Sequence, residues 1–269
     1  MHDARAFPVA RKINREAVVL LGWGRAILMQ LAHPLVAAGV GDYSGFRSGA
    51  RGYVRRVRGT VGGMLDLTFG TADEAQRIVD RINGIHDHVK GTLSGPVGIF
   101  PAGTPYSARD PRLLLWVHAT LMDSMTIAYE TFVGPLTAAE KDAYTLEAAW
   151  LPAALGVPEA DVPRRFADAM AFMTELTARG EIVVGDEARK LSAALLSPPL
   201  GPAGAPLFRL SRTITIGLLP DAVRAGYGFA WGPRESRNFK RAVTLMRRTR
   251  RILPRMLREW PSARAVKGH

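Results

Sequence analysis

Cysteine is absent from this sequence of 269 residues. Its absence excludes disulfides, zinc–thiolate sites and iron–sulfur clusters. The candidate metal ligands that remain are six histidines and the carboxylates. A glycine-rich nucleotide loop, a GxSxG elbow and a Walker motif are also missing. No residue pattern therefore indicates nucleotide binding or a nucleophilic triad.

A secretory signal is also absent, because the N-terminus lacks a basic, apolar and small-residue order. Residues 17–40 are apolar, but Arg25, Gln30, His33 and Pro34 interrupt them. A spanning helix needs about 20 uninterrupted apolar residues. We therefore interpret this stretch as a buried helix and expect a cytoplasmic protein, with peripheral membrane contact left open.

Positive charge is in excess: 36 lysines and arginines against 24 acidic residues give a net charge of +12. The excess lies in two arginine clusters, comprising Arg47, Arg51, Arg55, Arg56 and Arg58, and then Arg241, Arg247, Arg248, Arg250, Arg251, Arg255, Arg258 and Arg264. Basic clusters bind nucleic acid, anionic lipid or acidic cofactor groups. We interpret the C-terminal cluster as a solvated basic face. We expect no nucleic-acid partner, because the arginines are not interleaved with aromatic residues.

Helical patterns dominate, and no strand alternation of useful length is present. They predict an all-α fold in a single domain, 1–269, with residues 1–14 loosely held. Loops are expected at 39–52 and 197–204, and the apolar stretch 214–232 lines a pocket or forms a plain core helix. The predicted helices cover about 15–32, 53–69, 71–90, 111–132, 137–154, 161–178, 184–196 and 238–259.

The helix over 71–90 carries the first candidate site residue. Thr71 is an expected N-cap, and Gly91 is an expected stop. The helical spacing of Ile78, Ile82, Ile85 and Val89 defines the inward face and places His86 on it, with His88 pointing elsewhere.

Three histidines, His33, His86 and His118, lie in apolar helical settings. Each one alone is best explained as a core histidine with a satisfied hydrogen bond. Three such histidines in one chain, with a basic helix between the first two, favour a cofactor-binding site. A neutral imidazole suits haem iron, and arginines suit the two propionates. A zinc or two-histidine-carboxylate site would use such histidines too, but no HExxH spacing is present.

The order of several short motifs resembles the MpaB-type oxygenase family, whose best-known branch is the latex clearing protein (rubber oxygenase). The match is close over roughly residues 15–160 and looser after them. The matching segments are Ala32-His33-Pro34, Ala37-Ala38-Gly39-Val40, Asp42-Tyr43-Ser44-Gly45-Phe46, Arg56-Val57-Arg58-Gly59-Thr60, Phe69-Gly70-Thr71, Ile85-His86-Asp87-His88-Val89-Lys90-Gly91, Tyr106-Ser107-Ala108, Asp110-Pro111, Trp116-Val117-His118-Ala119-Thr120-Leu121 and Tyr129-Glu130.

The resemblance implies a globin-like helical core that holds haem b through a proximal histidine. His86 matches that histidine and would be the iron ligand, while Arg56 and Thr60 match the distal-side pair. Lys90 matches a basic residue one turn later. His118 matches a second family histidine near the haem edge, and its assignment as the ligand is the alternative. The implied partners are dioxygen and a small or hydrophobic organic substrate.

One departure bears on the reaction. The latex clearing branch has a lysine directly before the threonine, where this sequence has Gly59. Asp42 is the nearest candidate for that branch's distal glutamate, and a structural cap is an equal interpretation. The sequence therefore predicts a haem-dependent oxygenase without specifying rubber cleavage. The competing hypotheses are a non-catalytic haem sensor or carrier and a DNA- or membrane-binding helical protein.

Overall fold

The computed structural model describes the backbone of residues 7–43, 49–197 and 201–265, with side chains over 7–43, 58–197 and 204–264. Helices make up most of it, which confirms the predicted all-α class. Two short 3₁₀ helices, Ala17–Gly22 and Glu159–Asp161, lie between the other elements. The elements are α1 (Pro8–Asn14), α2 (Trp23–Leu31), α3 (Pro34–Tyr43), α4 (Gly49–Phe69), α5 (Ala72–His86), β1 (Lys90–Thr92), β2 (Pro105–Ser107), α6 (Pro111–Phe132), α7 (Ala138–Ala148), α8 (Trp150–Ala154), α9 (Phe166–Ala178), α10 (Asp186–Leu196), α11 (Gly201–Leu218), α12 (Asp221–Gly226), α13 (Pro233–Ile252), α14 (Arg255–Arg258) and α15 (Pro261–Ala265).

Helix α6 is the centre of the molecule, as its nearly continuous apolar sequence predicts. Its start is fixed by the Asp110 carboxylate, which accepts hydrogen bonds from the backbone N–H groups of Arg112 and Leu113. Trp116 packs in one apolar cluster with α2 and α10, while Met125 packs in another with α1 and α11. The two largest apolar clusters therefore share a single buried helix.

The N-terminal segment is held more firmly than the sequence suggests. Residues 8–14 form α1, and Ile13 is fully buried against the second cluster. The Glu147 carboxylate accepts hydrogen bonds from the backbone N–H groups of Val9 and Ala10. The prediction that residues 1–14 are loose is wrong for this part, and residues 1–6 lie outside the described chain.

The predicted helix over 15–32 is divided into a 3₁₀ helix and α2. A β-carbon placed on Gly22 would lie 2.7 Å from the backbone oxygen of Ser124 in α6. One placed on Gly24 would lie 2.2 Å from Oγ1 of Thr215 in α11. Close approach to two other helices explains both glycines, and such tertiary contacts are not visible in local periodicity.

Several other boundaries differ from the prediction. The loop expected over 39–52 is largely helical, because α3 continues to Tyr43 and α4 begins at Gly49. The helix expected over 137–154 is divided into α7 and α8. The apolar stretch 214–232 is not one core helix: Ile214 is fully buried at the end of α11, which stops at Leu218, and the rest comprises α12 and a non-helical segment.

The C-terminal arginine cluster is only partly a solvated face. Arg250 forms a two-pronged ion pair with the buried Glu16, with contacts of 2.9 and 2.6 Å. Arg255 Nε lies 2.8 Å from Oε1 of Glu259, whose side chain is also buried. Arg250 therefore connects the C-terminal segment to Glu16 near the N-terminus, a role that the interpretation as a solvated face missed.

Among the described residues, no single helix is long and apolar enough to cross a membrane. The pair Ala17–Leu31 and Pro34–Tyr43 passes that test only when taken together, and it bends by 106°.

Candidate functional site

Helix α5 carries His86 as its last residue. The helix begins with a capping box, because the Thr71 hydroxyl accepts from the N–H of Glu74 while the Glu74 carboxylate accepts from the N–H of Thr71. The predicted N-terminus is therefore confirmed. The predicted continuation to Lys90 is wrong, because the helix ends at His86 and Lys90 begins strand β1.

Contacts from distant parts of the chain explain this early end. The carbonyl of Val89 accepts from the N–H of Ala108, and the carbonyl of Lys90 accepts from the Tyr43 hydroxyl at 2.9 Å. The residue expected as a helix stop, Gly91, instead pairs with Tyr106 across the two-stranded sheet. A β-carbon on Gly91 would lie 2.5 Å from the Tyr106 hydroxyl oxygen, so the position requires glycine.

Arg109 fixes the turn that follows His86, and sequence reasoning missed it. Its guanidinium donates to the Asp87 carboxylate at 2.8 Å, and to the side-chain and backbone oxygens of Asn83 at 2.6 and 3.2 Å. It also reaches the carbonyl of Leu155, beyond α8, at 3.4 Å. No local pattern marks this residue, because its partners lie 22 to 46 positions away in the sequence.

The imidazole of His86 is half-buried, whereas His88 is exposed. Within the described part of the chain, Nδ1 of His86 is buried and has no hydrogen-bond partner. Burial lowers the pKa of His86, the Arg109 charge lowers it further, and Asp87 opposes both effects. The inward face is less regular than predicted, because Ile85 is exposed and Val89 lies outside the helix. The ring is therefore neutral at pH 7 and has one unused nitrogen.

His118 is more deeply buried, in the middle of α6. Its Nε2 is buried without a partner among the described residues, and burial lowers its pKa to about 4. One turn earlier, Leu114 and Leu115 pack against Ala149 and Leu155 around α8. The C-terminal part of α5 reaches the same segment, because the Asn83 side chain donates to the Ala154 carbonyl at 3.3 Å. The elements that carry the two histidines therefore meet at α8.

His33 is different, because both of its nitrogens face a polar partner. Nδ1 accepts from the N–H of Leu35 at 3.3 Å at the start of α3, and Nε2 lies 3.9 Å from the Glu181 carboxylate. Its ring packs beside Phe100 and Trp116, with centroids 5.5 and 6.4 Å away. Burial lowers its pKa to about 4. These contacts make His33 a structural residue.

Helix α4, with Arg56 and Thr60, packs against α5 as an antiparallel hairpin. A β-carbon on Gly63 would lie 3.8 Å from Cγ2 of Ile78, so these positions are at the same level. Arg56 lies seven residues before Gly63 on α4, and Ile85 lies seven residues after Ile78 on α5. Because both helices rise equally per residue, the backbone of Arg56 lies level with the end of α5.

The remaining predicted positions are less closely associated with His86. The Arg56 side chain and Ser44 to Phe46 lie outside the described part of the chain. Thr60, Gly59 and Lys90 are exposed. The Asp42 carboxylate accepts from the Tyr106 hydroxyl, and burial raises the pKa of that tyrosine. This bond gives Asp42 a structural partner.

The donor set indicates which metal group these residues could hold. Within the described ranges, no three histidine, aspartate or glutamate side chains lie close enough together to bind a metal ion. A zinc or two-histidine-carboxylate site of described residues is therefore not supported. Haem needs only one or two protein ligands, and a neutral imidazole with an unused, buried nitrogen is suited to this role. His86 and His118 meet that requirement, whereas His33 does not.

Comparison with known proteins identifies relatives over most of the chain. The family model described as ER-bound oxygenase mpaB/B'/Rubber oxygenase, catalytic domain, matches residues 10–248. Two relatives are the uncharacterized proteins Mb2261 of Mycobacterium bovis and Rv2237 of Mycobacterium tuberculosis. Each is 31% identical over 237 residues, covering 85% of this chain and 87% of the relative. No solved structure gives a significant match.

Proposed function

The chain belongs to the MpaB and rubber oxygenase catalytic-domain family, and we propose that it is an oxygenase that uses haem b bound through His86. The observation that carries the proposal is the half-buried imidazole of His86, with its low pKa and its unpartnered Nδ1. A nitrogen that is neutral, buried and unused by the fold is available to a metal.

His86 is favoured over His118 because of the space around each ring. A haem is a broad, flat group that needs a crevice beside its ligand. Only 9% of His118 is exposed, and the residue lies in the middle of the central helix, so its surroundings are less open to such a group. His86 stands at the end of α5, beside a turn that is partly exposed. We assign His118 to a supporting position near the haem edge.

The hairpin of α4 and α5 supports a role for Arg56 and Thr60. Both residues lie on the helix that packs against the His86 helix, and the backbone of Arg56 is level with its end. We propose that both residues donate hydrogen bonds to oxygen as negative charge develops on it. The alternative for Arg56 is an ion pair with a haem propionate. Lys90 is assigned a second contact with the cofactor's acidic groups.

Haem b would supply the one-electron and dioxygen chemistry that no protein side chain provides. The protein's own residues would hold the cofactor at His86, exclude water through the apolar packing around α8, and donate hydrogen bonds from α4. The substrate class we propose is a small or hydrophobic organic molecule. Gly59 in place of the rubber oxygenases' lysine leaves the reaction open to oxidation other than rubber cleavage.

The test is the spectrum and turnover of protein purified from haem-supplemented cells. We expect a Soret band and dioxygen consumption that depends on an isoprenoid or phenolic substrate together with a reductant. A colourless protein that gains no Soret band from added hemin would overturn the cofactor assignment. A Soret band without dioxygen consumption would instead favour a haem carrier or sensor, which the same imidazole could serve.

A further inference from the structure

The segment from α13 to α14 contains most of the protein's excess charge. Residues 233–258 include ten basic side chains and one acidic side chain, so they supply nine of the twelve net positive charges. The acidic residue, Glu235, is turned back to cap the start of α13, where it accepts from the N–H of Gly232 at 3.0 Å. Arg247, Arg250 and Arg255 have partners in the fold. Of the other seven basic residues, four arginines belong to a separate feature.

That feature is an exposed surface row, which we name the cationic stripe. Its members on α13 recur at spacings of three or four residues, so they share one side of that helix, and Met256 follows on α14. None of its arginines forms an ion pair within the described part of the chain. The cationic stripe consists of Arg234, Arg237, Arg241, Leu245, Arg248, Ile252 and Met256.

The C-terminal end of the cationic stripe exposes large apolar side chains. Ile252 is 82% exposed, Met256 and Leu257 are 62% exposed, and Leu245 is 51% exposed. Ile252 lies just before the break at Pro254, and Met256 and Leu257 lie just after it. Exposed apolar groups of this size, rimmed by charge, mark an interaction surface.

From this combination we propose that the cationic stripe docks the protein on an anionic membrane surface. Arginines along α13 would contact acidic headgroups, while Ile252, Met256 and Leu257 would insert at the boundary between headgroups and acyl chains. A second copy of the chain is disfavoured as the occupant, because a symmetric contact would place arginine against arginine. Nucleic acid would satisfy the arginines but would leave the four apolar side chains in water.

The proposal is tested by sedimentation of the whole protein with vesicles of phosphatidylcholine alone or mixed with phosphatidylserine. We expect binding only to the mixed vesicles, and we expect high salt to weaken it. Removing three arginines should weaken binding about a hundredfold, at about one kcal/mol for each. The charge variant is Arg237→Gln, Arg241→Gln and Arg248→Gln, and its control is Arg77→Gln, Arg164→Gln and Lys190→Gln, all at exposed positions.

An apolar variant tests insertion separately from charge. It should weaken vesicle binding at least about tenfold while its residual binding stays sensitive to salt. It combines Ile252→Ser, Met256→Ser and Leu257→Ser, and its control combines Ile99→Ser, Leu146→Ser and Leu207→Ser, all at exposed positions.

Three results would overturn the proposal. They are no binding of the unaltered protein to mixed vesicles, equal losses in variants and controls, and binding to a DNA duplex without binding to vesicles. Vesicle binding is independent of the cofactor, so failure here leaves the oxygenase proposal unchanged. The far-ultraviolet circular dichroism spectrum of each variant provides the check on folding, because the described chain is mostly helical.

Discussion

His33 and His86 are both withdrawn from water, and burial lowers the pKa of both, but only one of them has an unused nitrogen. Nδ1 of His33 accepts a bond from the N–H of Leu35, Nε2 lies 3.9 Å from the Glu181 carboxylate, and neither is a buried nitrogen without a partner. His86 has a buried Nδ1 without a partner among the described residues. Low pKa and burial alone therefore do not distinguish a structural histidine from a functional one, whereas an unsatisfied nitrogen does.

The largest effect that would test this comparison is loss of the cofactor. We expect His86→Ala to abolish the Soret band and substrate-dependent dioxygen consumption, because the iron loses its protein ligand. The matched control is His88→Ala, two residues away and exposed, which should retain both. Equal haem content in the two purified variants would contradict the assignment of His86.

The next largest effect that we expect is a loss of folding stability in acid, caused by His33. Its pKa is about 4 in the fold and 6.5 when unfolded, so the unfolded chain binds more protons between these values. Stability should therefore be complete above pH 6.5 and fall as the pH decreases toward 4, by up to about 3 kcal/mol. Urea unfolding at several pH values measures this change.

The matched variant is His33→Asn, which retains an acceptor for the N–H of Leu35 but does not titrate. Its free energy of unfolding should fall less steeply over the same pH range. Identical slopes for the variant and the unaltered protein would show that His33 is not responsible for the acid sensitivity.

A smaller effect is expected at Arg109, which positions the turn after His86. We expect Arg109→Gln to weaken hemin binding about tenfold, because Asp87 and Asn83 lose their charged donor. Arg112→Gln is the control, since that exposed side chain contacts Glu175 and Glu181 instead. Equal hemin affinities for the two variants would remove Arg109 from the site.

The smallest effect concerns His118. Leucine has a similar volume and no polar atom, so His118→Leu should stabilise the protein without cofactor by about 1 kcal/mol. The Soret band should remain, with at most a shift in position. Loss of the band in His118→Leu, with its retention in His86→Ala, would exchange the roles of the two histidines.

Local signals predicted much of the fold. The Asp110–Pro111 start and the apolar sequence after it fixed α6, and the capping box at Thr71 fixed the start of α5. Long-range contacts account for the errors. The end of α5 depends on Tyr43 and Ala108, and the division of the first predicted helix depends on close packing at Gly22.

The candidate site was predicted less completely than the fold. Helical spacing correctly indicated that His86 is more buried than His88. Arg109 could not be found in this way, because its role depends on oxygens of Asn83, Asp87 and Leu155, which come from two other parts of the chain. The predicted helix over 71–90 placed Lys90 one turn after His86, but a turn follows His86 and Lys90 begins strand β1.

The most direct test of the central claim is a hemin titration of the unaltered protein, followed by absorbance at the Soret band. If the unused nitrogen of His86 is a haem ligand, the band should saturate at one hemin for each chain. Absence of a saturable Soret band would contradict the account.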